Sequence, residues 1–226
     1  MTRRAVILPS ILAADQGRLA DEIRRAEAAG ADELHVDVMD GAFVPNLSFG
    51  PAVVAMAARV SPLPRDVHLM LAHPERFLDA FAEAGASAIQ IHAEASCDVG
   101  AALRRIRALG CRAGLVLNPE TDAAAALRHL DAVDEVLCMT VYPGFGGQAF
   151  KPGPLETVRR LRAAAPSLRI MVDGGIGRNT LPLAAAAGAD AFVAGSALFH
   201  AADMAAEIAL FRRLFAEAPL VPARQR

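Results

Sequence analysis

The chain has 226 residues, a formal net charge of −2 and a hydrophobic fraction of 54%. That length carries one full hydrophobic core and is short for two, the apolar fraction excludes a disordered chain, and the near-neutral charge gives no electrostatic reason to expect nucleic acid as a partner. No run of 18 apolar residues occurs and the first segment lacks a small-residue cleavage site before charged sequence resumes, so no membrane association is expected.

In chain order, short β-branched or apolar runs predict strands at 5–9 (AVILP), 33–38 (ELHVDV), 65–70 (RDVHLM), 87–92 (SAIQIH), 112–117 (RAGLVL), 135–140 (EVLCMT), 168–173 (LRIMVD) and 190–194 (DAFVA). Segments of helical length and apolar spacing lie between them at 15–30, 51–60, 74–85, 97–110, 120–130, 153–165 and 178–188, and a last one covers roughly 201–217. Gly30, Gly85, Gly110 and Gly188 sit where helices should end in a left-handed backbone, and the same joint recurs as AGAD, AGAS and AGAD at 29–32, 84–87 and 187–190. Eight strand–helix units of about 28 residues fit a single α/β domain over 1–226, a (β/α)₈ TIM barrel, whose usual size is about 250 residues. An open doubly wound sheet shares the unit pattern, since closure is not visible in sequence. Cys97, Cys111 and Cys138 are odd in number and widely spaced. They fit neither a disulfide framework nor a thiolate zinc motif, and read as small buried side chains in a reducing cytoplasm.

The second strand carries His35 and Asp37 on one face, opposite Val36 and Val38, and the third carries Asp66, His68 and Met70 in the same alternation. In a barrel that face looks into the lumen, near the C-terminal rim where barrel enzymes react. A charge there is costly unless paired or metal-bound. Asp173 ends the seventh strand and offers a carboxylate from across the lumen. Two imidazoles and two carboxylates suit one divalent ion of zinc, iron, manganese or cobalt. Internally paired Asp–His groups without a metal are the competing reading.

Gly144, Phe145, Gly146 and Gly147 form a glycine-rich loop after strand six, Gly174 and Gly175 follow strand seven, and Gly195 and Ser196 follow strand eight. Three successive rim loops that let backbone amides approach an anion point to phosphate. Ser10 closes strand one with a hydroxyl able to bond a substrate oxygen. Met39, Met70 and Met139 lie near strand ends, either as core packing or as an apolar cap over a reactive enolate. His92 ends strand four as a possible partner of a metal ligand, and His73, His129 and His200 read as surface or helix-flanking groups. The single lysine, Lys151, follows a loop rather than lying in a strand, which argues against Schiff-base chemistry.

The segments PSILAAD, HVDVMDGAFVPN, DVHLM, GLVLNPET, MTVYPGFGGQAF, MVDGGI and VAGSALF run in order from near residue 5 to 199, and together the chain resembles the ribulose-phosphate 3-epimerase family. The resemblance implies a barrel that interconverts D-ribulose 5-phosphate and D-xylulose 5-phosphate at C3 through a cis-enediolate. It implies a metal held by His35, Asp37, His68 and Asp173, with Asp37 and Asp173 as opposed acid–base groups. Substrate contacts are then expected at Ser10, His68, Gly144, Phe145, Gly146, Gly147, Gly174, Gly175, Gly195 and Ser196. In the ribulose-to-xylulose direction Asp37 is read as the acid and Asp173 as the base. Two positions depart from the family pattern: Tyr142 stands where an asparagine is usual and Ala13 where a serine is common. They leave a 3-epimerase acting on a hexulose 6-phosphate, such as allulose 6-phosphate, as an alternative. A barrel aldolase or decarboxylase of a sugar phosphate and a non-catalytic phosphosugar-binding protein are more distant ones. A phosphorylated ketose is the expected partner, with no nicotinamide, flavin or pyridoxal cofactor, and a cytoplasmic homo-oligomer is expected.

Overall fold

A computed structural model describes residues 4–219. Eight parallel strands form one sheet: β1 (Val6–Pro9), β2 (Leu34–Met39), β3 (Arg65–Met70), β4 (Ala88–His92), β5 (Arg112–Leu117), β6 (Glu135–Met139), β7 (Arg169–Asp173) and β8 (Ala191–Ala194). Around them lie α1 (Leu19–Ala28), α2 (Pro51–Val60), α3 (Leu78–Glu83), α4 (Val99–Ala108), α5 (Ala124–Leu127), α6 (Leu155–Ala164), α7 (Leu181–Ala187), α8 (Ser196–Phe199) and α9 (Met204–Glu217). From β2 to β8 each strand pairs with the next, β1 pairs with β8, and an isolated parallel bridge between Ser10 and His35 joins the β1 and β2 ends. The architecture is therefore the (β/α)₈ barrel rather than the open sheet.

Every sequence-predicted strand is present, within a residue or so of its expected ends. The helices are trimmed. Residues 16–18 and 74–76 form 3₁₀ turns instead of first helical turns, the former because the Asp15 carboxylate accepts the Gly17 N–H at 2.9 Å and holds the chain in a tighter turn. Helix α5 is one turn long, because its run of alanines offers little apolar face to bury. The joint glycines have positive φ, and at Gly188 (φ 115°) a Cβ would also stand 2.8 Å from Arg162 Cβ. All three cysteines are free thiols, with Cys111 and Cys138 buried and Cys97 half-buried.

The main core lies between strands and helices, where Phe81, Phe192 and Phe211 are fully buried. The lumen is divided. Leu8, Val116, Leu137, Met171 and Val193 make one side apolar, while His35, Asp37, Asp66, His68, Gln90 and His92 make the β2–β4 side polar and almost wholly buried. Gly114 makes room for Gln90, since a Cβ there would lie 2.5 Å from Gln90 Cγ. The Gln90 amide donates to Asp66 Oδ2 and Glu135 Oε1, both at 3.1 Å.

The strand starts are closed by an ion cluster. Glu33 accepts from Arg112 at 2.6 Å and from Arg169 at 2.8 Å, and Glu135 accepts from Arg112 Nε at 3.2 Å. Glu135 has no solvent exposure, so losing its carboxylate leaves Glu33 as the one acceptor shared by Arg112 and Arg169 and takes a buried partner from the Gln90 amide. Glu135→Ala is expected to lower unfolding free energy by about 3–5 kcal/mol, read from urea denaturation. A loss below about 1 kcal/mol would show that the cluster relaxes around the gap.

Candidate active site

At the opposite end, the strand C-termini surround a cavity of about 510 Å³. Its lining includes Ser10, Asp37, Asp173, all of 144–147, Gly174, Gly175, Gly195 and Ser196, with Met39, Met70 and Met139 among its apolar groups. Of the residues expected to touch substrate, only His68 is not on the lining. It lies beneath, without exposure, next to His35.

The strand register builds this arrangement. Asp37 on β2 pairs with His68 on β3, and His35 with Asp66, so period-two alternation stacks four polar groups on the inner face. Asp37 is the hub: Oδ2 accepts from the Ser10 hydroxyl at 2.5 Å, while Oδ1 stands 3.1 Å from His68 Nδ1 and 3.3 Å from His35 Nε2. Asp173 comes from β7, on the other side of β1 and β8. Its backbone is fixed by Thr140, whose N–H and hydroxyl both donate to the Asp173 carbonyl, at 2.7 and 2.8 Å.

The loops above are pinned to one another. The Asp40 carboxylate accepts the N–H groups of Ala42, Phe43 and Ala72, which binds the segment after β2 to the end of β3. Asn46 Nδ2 donates to the Gly144 carbonyl at 2.7 Å, bringing that segment against the glycine-rich loop. After β7, both glycines are sterically required: a Cβ on Gly174 (φ 114°) would lie 2.4 Å from Val141 Cγ2, and one on Gly175 (φ 65°) 2.8 Å from Phe150 N. Tyr142 is half exposed; its hydroxyl donates to Glu120 and Lys151 Nζ stands 4.3 Å from its ring centroid.

One donor atom from each of His35, Asp37, His68 and Asp173 falls within 4.8 Å of the others. Both His35 nitrogens are buried and lack an aligned hydrogen-bond partner among the described residues. Two imidazole nitrogens without partners beside carboxylates are free to ligate a cation. A nitrogen–oxygen donor set of this size fits one divalent metal ion, as zinc, iron, manganese or cobalt would be held.

The electrostatics of the four side chains agree. Burial opposes charge on His35, but Asp37, Asp66 and Asp173 outweigh it and push its pKa up to about 9. Burial drives His68 down to about 4, against the pull of Asp37, and lowers His92 as well. Burial also raises Asp173 to about 7, helped by the negative charge of Asp37. Asp37 goes the other way: burial resists its ionisation, yet His35 and His68 hold its carboxyl far below the usual range. Asp66 is raised well above that range by burial and by Glu135. Two carboxyls of widely separated acidity thus meet at one cavity, an arrangement able to supply an acid and a base together.

Two groups deeper in the site, Gln90 and Glu94, were not singled out above. Gln90 alternates with His92 on β4 as His35 does with Asp37 on β2, so the same inward face was legible there. Glu94, which faces His92, had no local signal, because it lies in the turn after the strand.

Solved structures with the same architecture include KGPDC from Streptococcus mutans, with a TM-score of 0.70 and 15% identity over 96% of this chain and 99% of that one. 3-Hexulose-6-phosphate synthase from Salmonella typhimurium gives a TM-score of 0.69 and 18% identity over 94% and 99%. At such identities they speak for the fold alone. Sequence relatives are nearer. The ribulose-phosphate 3-epimerase of Mycobacterium tuberculosis (strain ATCC 25618 / H37Rv) is 48% identical over 212 residues, 92% of each chain. That of Bacillus subtilis (strain 168) is 44% identical over 202 residues, 87% of this chain and 93% of its own. The profile described as the Ribulose-phosphate 3 epimerase family matches residues 6–199, from the first strand through the turn after the last. With the barrel, a cluster able to hold a metal and this span of likeness in hand, the chain belongs to the ribulose-phosphate 3-epimerase family.

Proposed function

We propose that this chain inverts C3 of D-ribulose 5-phosphate to give D-xylulose 5-phosphate. The observation that carries the reading is the meeting of Asp37 and Asp173, from strands on different sides of the lumen, within 4.8 Å at a metal-ligating cluster. The C3 proton of a 2-ketose is acidified by the neighbouring carbonyl. A carboxylate on one face removes it, and a carboxylic acid on the other returns a proton to the opposite face. The divalent ion held by His35, Asp37, His68 and Asp173 would supply Lewis-acid stabilisation of negative charge on the substrate's oxygens.

Asp173 serves as base and Asp37 as acid toward xylulose, and they exchange roles in reverse. Ser10 donates to Asp37 and orients its carboxylate. Met39, Met70 and Met139 shield the reacting carbon from water. The backbone at Gly144, Phe145, Gly146 and Gly147, with Gly174, Gly175, Gly195 and Ser196, holds the phosphate. His68, beneath the cavity, would help to hold the ion.

Tyr142 on the lining supports one second reading, a 3-epimerase of a hexulose 6-phosphate such as allulose 6-phosphate. The deciding experiment follows metal-reconstituted protein in D₂O by NMR with pentulose and hexulose phosphates in parallel. Faster turnover of ribulose 5-phosphate with deuterium at C3 is expected. Faster hexulose turnover would transfer the assignment, and substrate binding without C3 exchange would leave a phosphosugar-binding protein.

Residues 1–226 are read as one domain working in the cytoplasm as a homo-oligomer. Among the described residues no helix is long and apolar enough to cross a membrane. Light scattering that returns a monomer mass would refute the assembly.

A further inference from the structure

Beneath the cavity a single line of contacts leads away from the metal-ligating cluster. His68 Nδ1 faces Asp37 Oδ1 at 3.1 Å, His68 Nε2 lies 2.9 Å from His92 Nε2, and His92 Nδ1 lies 3.3 Å from Glu94 Oε2. Both imidazoles are fully buried and stacked, 5.0 Å between centroids. Glu94 is anchored in turn, its Oε1 accepting the Asn118 N–H at 3.3 Å and the Thr121 hydroxyl.

Three contacts join two carboxylates through two rings, and each contact needs a proton or a cation between its partners. Two neutral imidazoles carry only two protons. Glu94 can only accept, so one proton sits on His92 Nδ1. His92 Nε2 is then an acceptor, which places the second proton on His68 Nε2. The His68 Nδ1 lone pair is left facing the Asp37 carboxylate, an arrangement stable only with a cation bound to both.

We propose that His92 and Glu94 are positioning residues that hold His68 in the tautomer whose Nδ1 is free for the metal ion. The inference rests on the metal-site reading of the proposed function and adds a residue, Glu94, that touches no ligand atom. Partners of this kind fix ring orientation and raise ligand basicity, and their loss typically costs about 10–100-fold in metal affinity.

Glu94→Gln tests it with almost no change of shape. The Asn118 N–H is a fixed donor, so it keeps the amide oxygen on its own side and turns the NH₂ toward His92 Nδ1. That reverses both rings and puts a proton on His68 Nδ1. Zinc affinity, measured by competition with a chromophoric chelator, should fall about 10–100-fold, while the thermal midpoint of metal-free protein stays unchanged. In zinc-loaded wild type, ¹⁵N-resolved imidazole spectra should show protons on His92 Nδ1 and His68 Nε2. Glu94→Gln affinity within about twofold of wild type, or a wild-type proton on His92 Nε2, overturns the relay alone. Wild type that binds no zinc or other divalent ion overturns the metal site as well. The wild-type spectrum decides the matter even if the variant fails to fold.

Discussion

Asp173→Asn lowers kcat for epimerisation by at least about 10³-fold, the scale of a lost general acid–base group, with the fold retained. Asparagine keeps the volume and one amide oxygen for the cluster, but it cannot take up or release a proton. The variant also reports on direction. With Asp37 as the only remaining carboxylate at the reacting carbon, a proton can leave and return on one face alone. Under the assignment above, Asp173→Asn in D₂O washes deuterium into C3 of xylulose 5-phosphate and leaves ribulose 5-phosphate unlabelled, and Asp37→Asn does the reverse. NMR of each recovered epimer checks this without relying on net turnover. Labelling of the opposite epimer would exchange the two roles, and turnover within tenfold of wild type would remove Asp173 from proton transfer altogether.

The parts of this site that were legible in the sequence are those in which a strand's alternation places a costly group on a buried face. His35 with Asp37, and Asp66 with His68, stand out because charge at every second residue of a barrel interior is costly unless paired or metal-bound. Gly174 and Gly175 were legible as glycines, but their reason lies in Val141 and Phe150, which reach them only through the closed fold. The Glu33–Arg112–Glu135–Arg169 cluster left no signal: each residue sits at a strand start, where a charged side chain is ordinarily solvated. Tyr142 was visible as an oddity of its loop, yet its hydroxyl partner, Glu120, arrives from the segment after β5. Local pattern thus reveals which face a residue occupies, and only tertiary contact reveals what meets it there.

Removing the metal should abolish epimerisation and return it on reloading, and the affinity for the ion should itself depend on pH in a way set by this cluster. A ligating imidazole must be neutral and a ligating carboxyl ionised, so binding expels every proton the metal-free site holds on them. His35, raised to about 9, carries a proton through the neutral range, and Asp173, raised to about 7, carries a second below neutrality. His68, lowered to about 4, and Asp37, held ionised by its histidine neighbours, release none above pH 5. Both raised groups bind protons more tightly in the free state than in the loaded one, so affinity must rise with pH. It should climb about 100-fold per unit below pH 7, about tenfold per unit between 7 and 9, and level off above. Zinc titrations against a chelator of known proton affinity give the slope, and calorimetry in buffers of different ionisation enthalpy counts the protons. A flat response between pH 6 and 9 would mean that His35 is neutral before the ion arrives, and that the three carboxyls around it do not govern its charge.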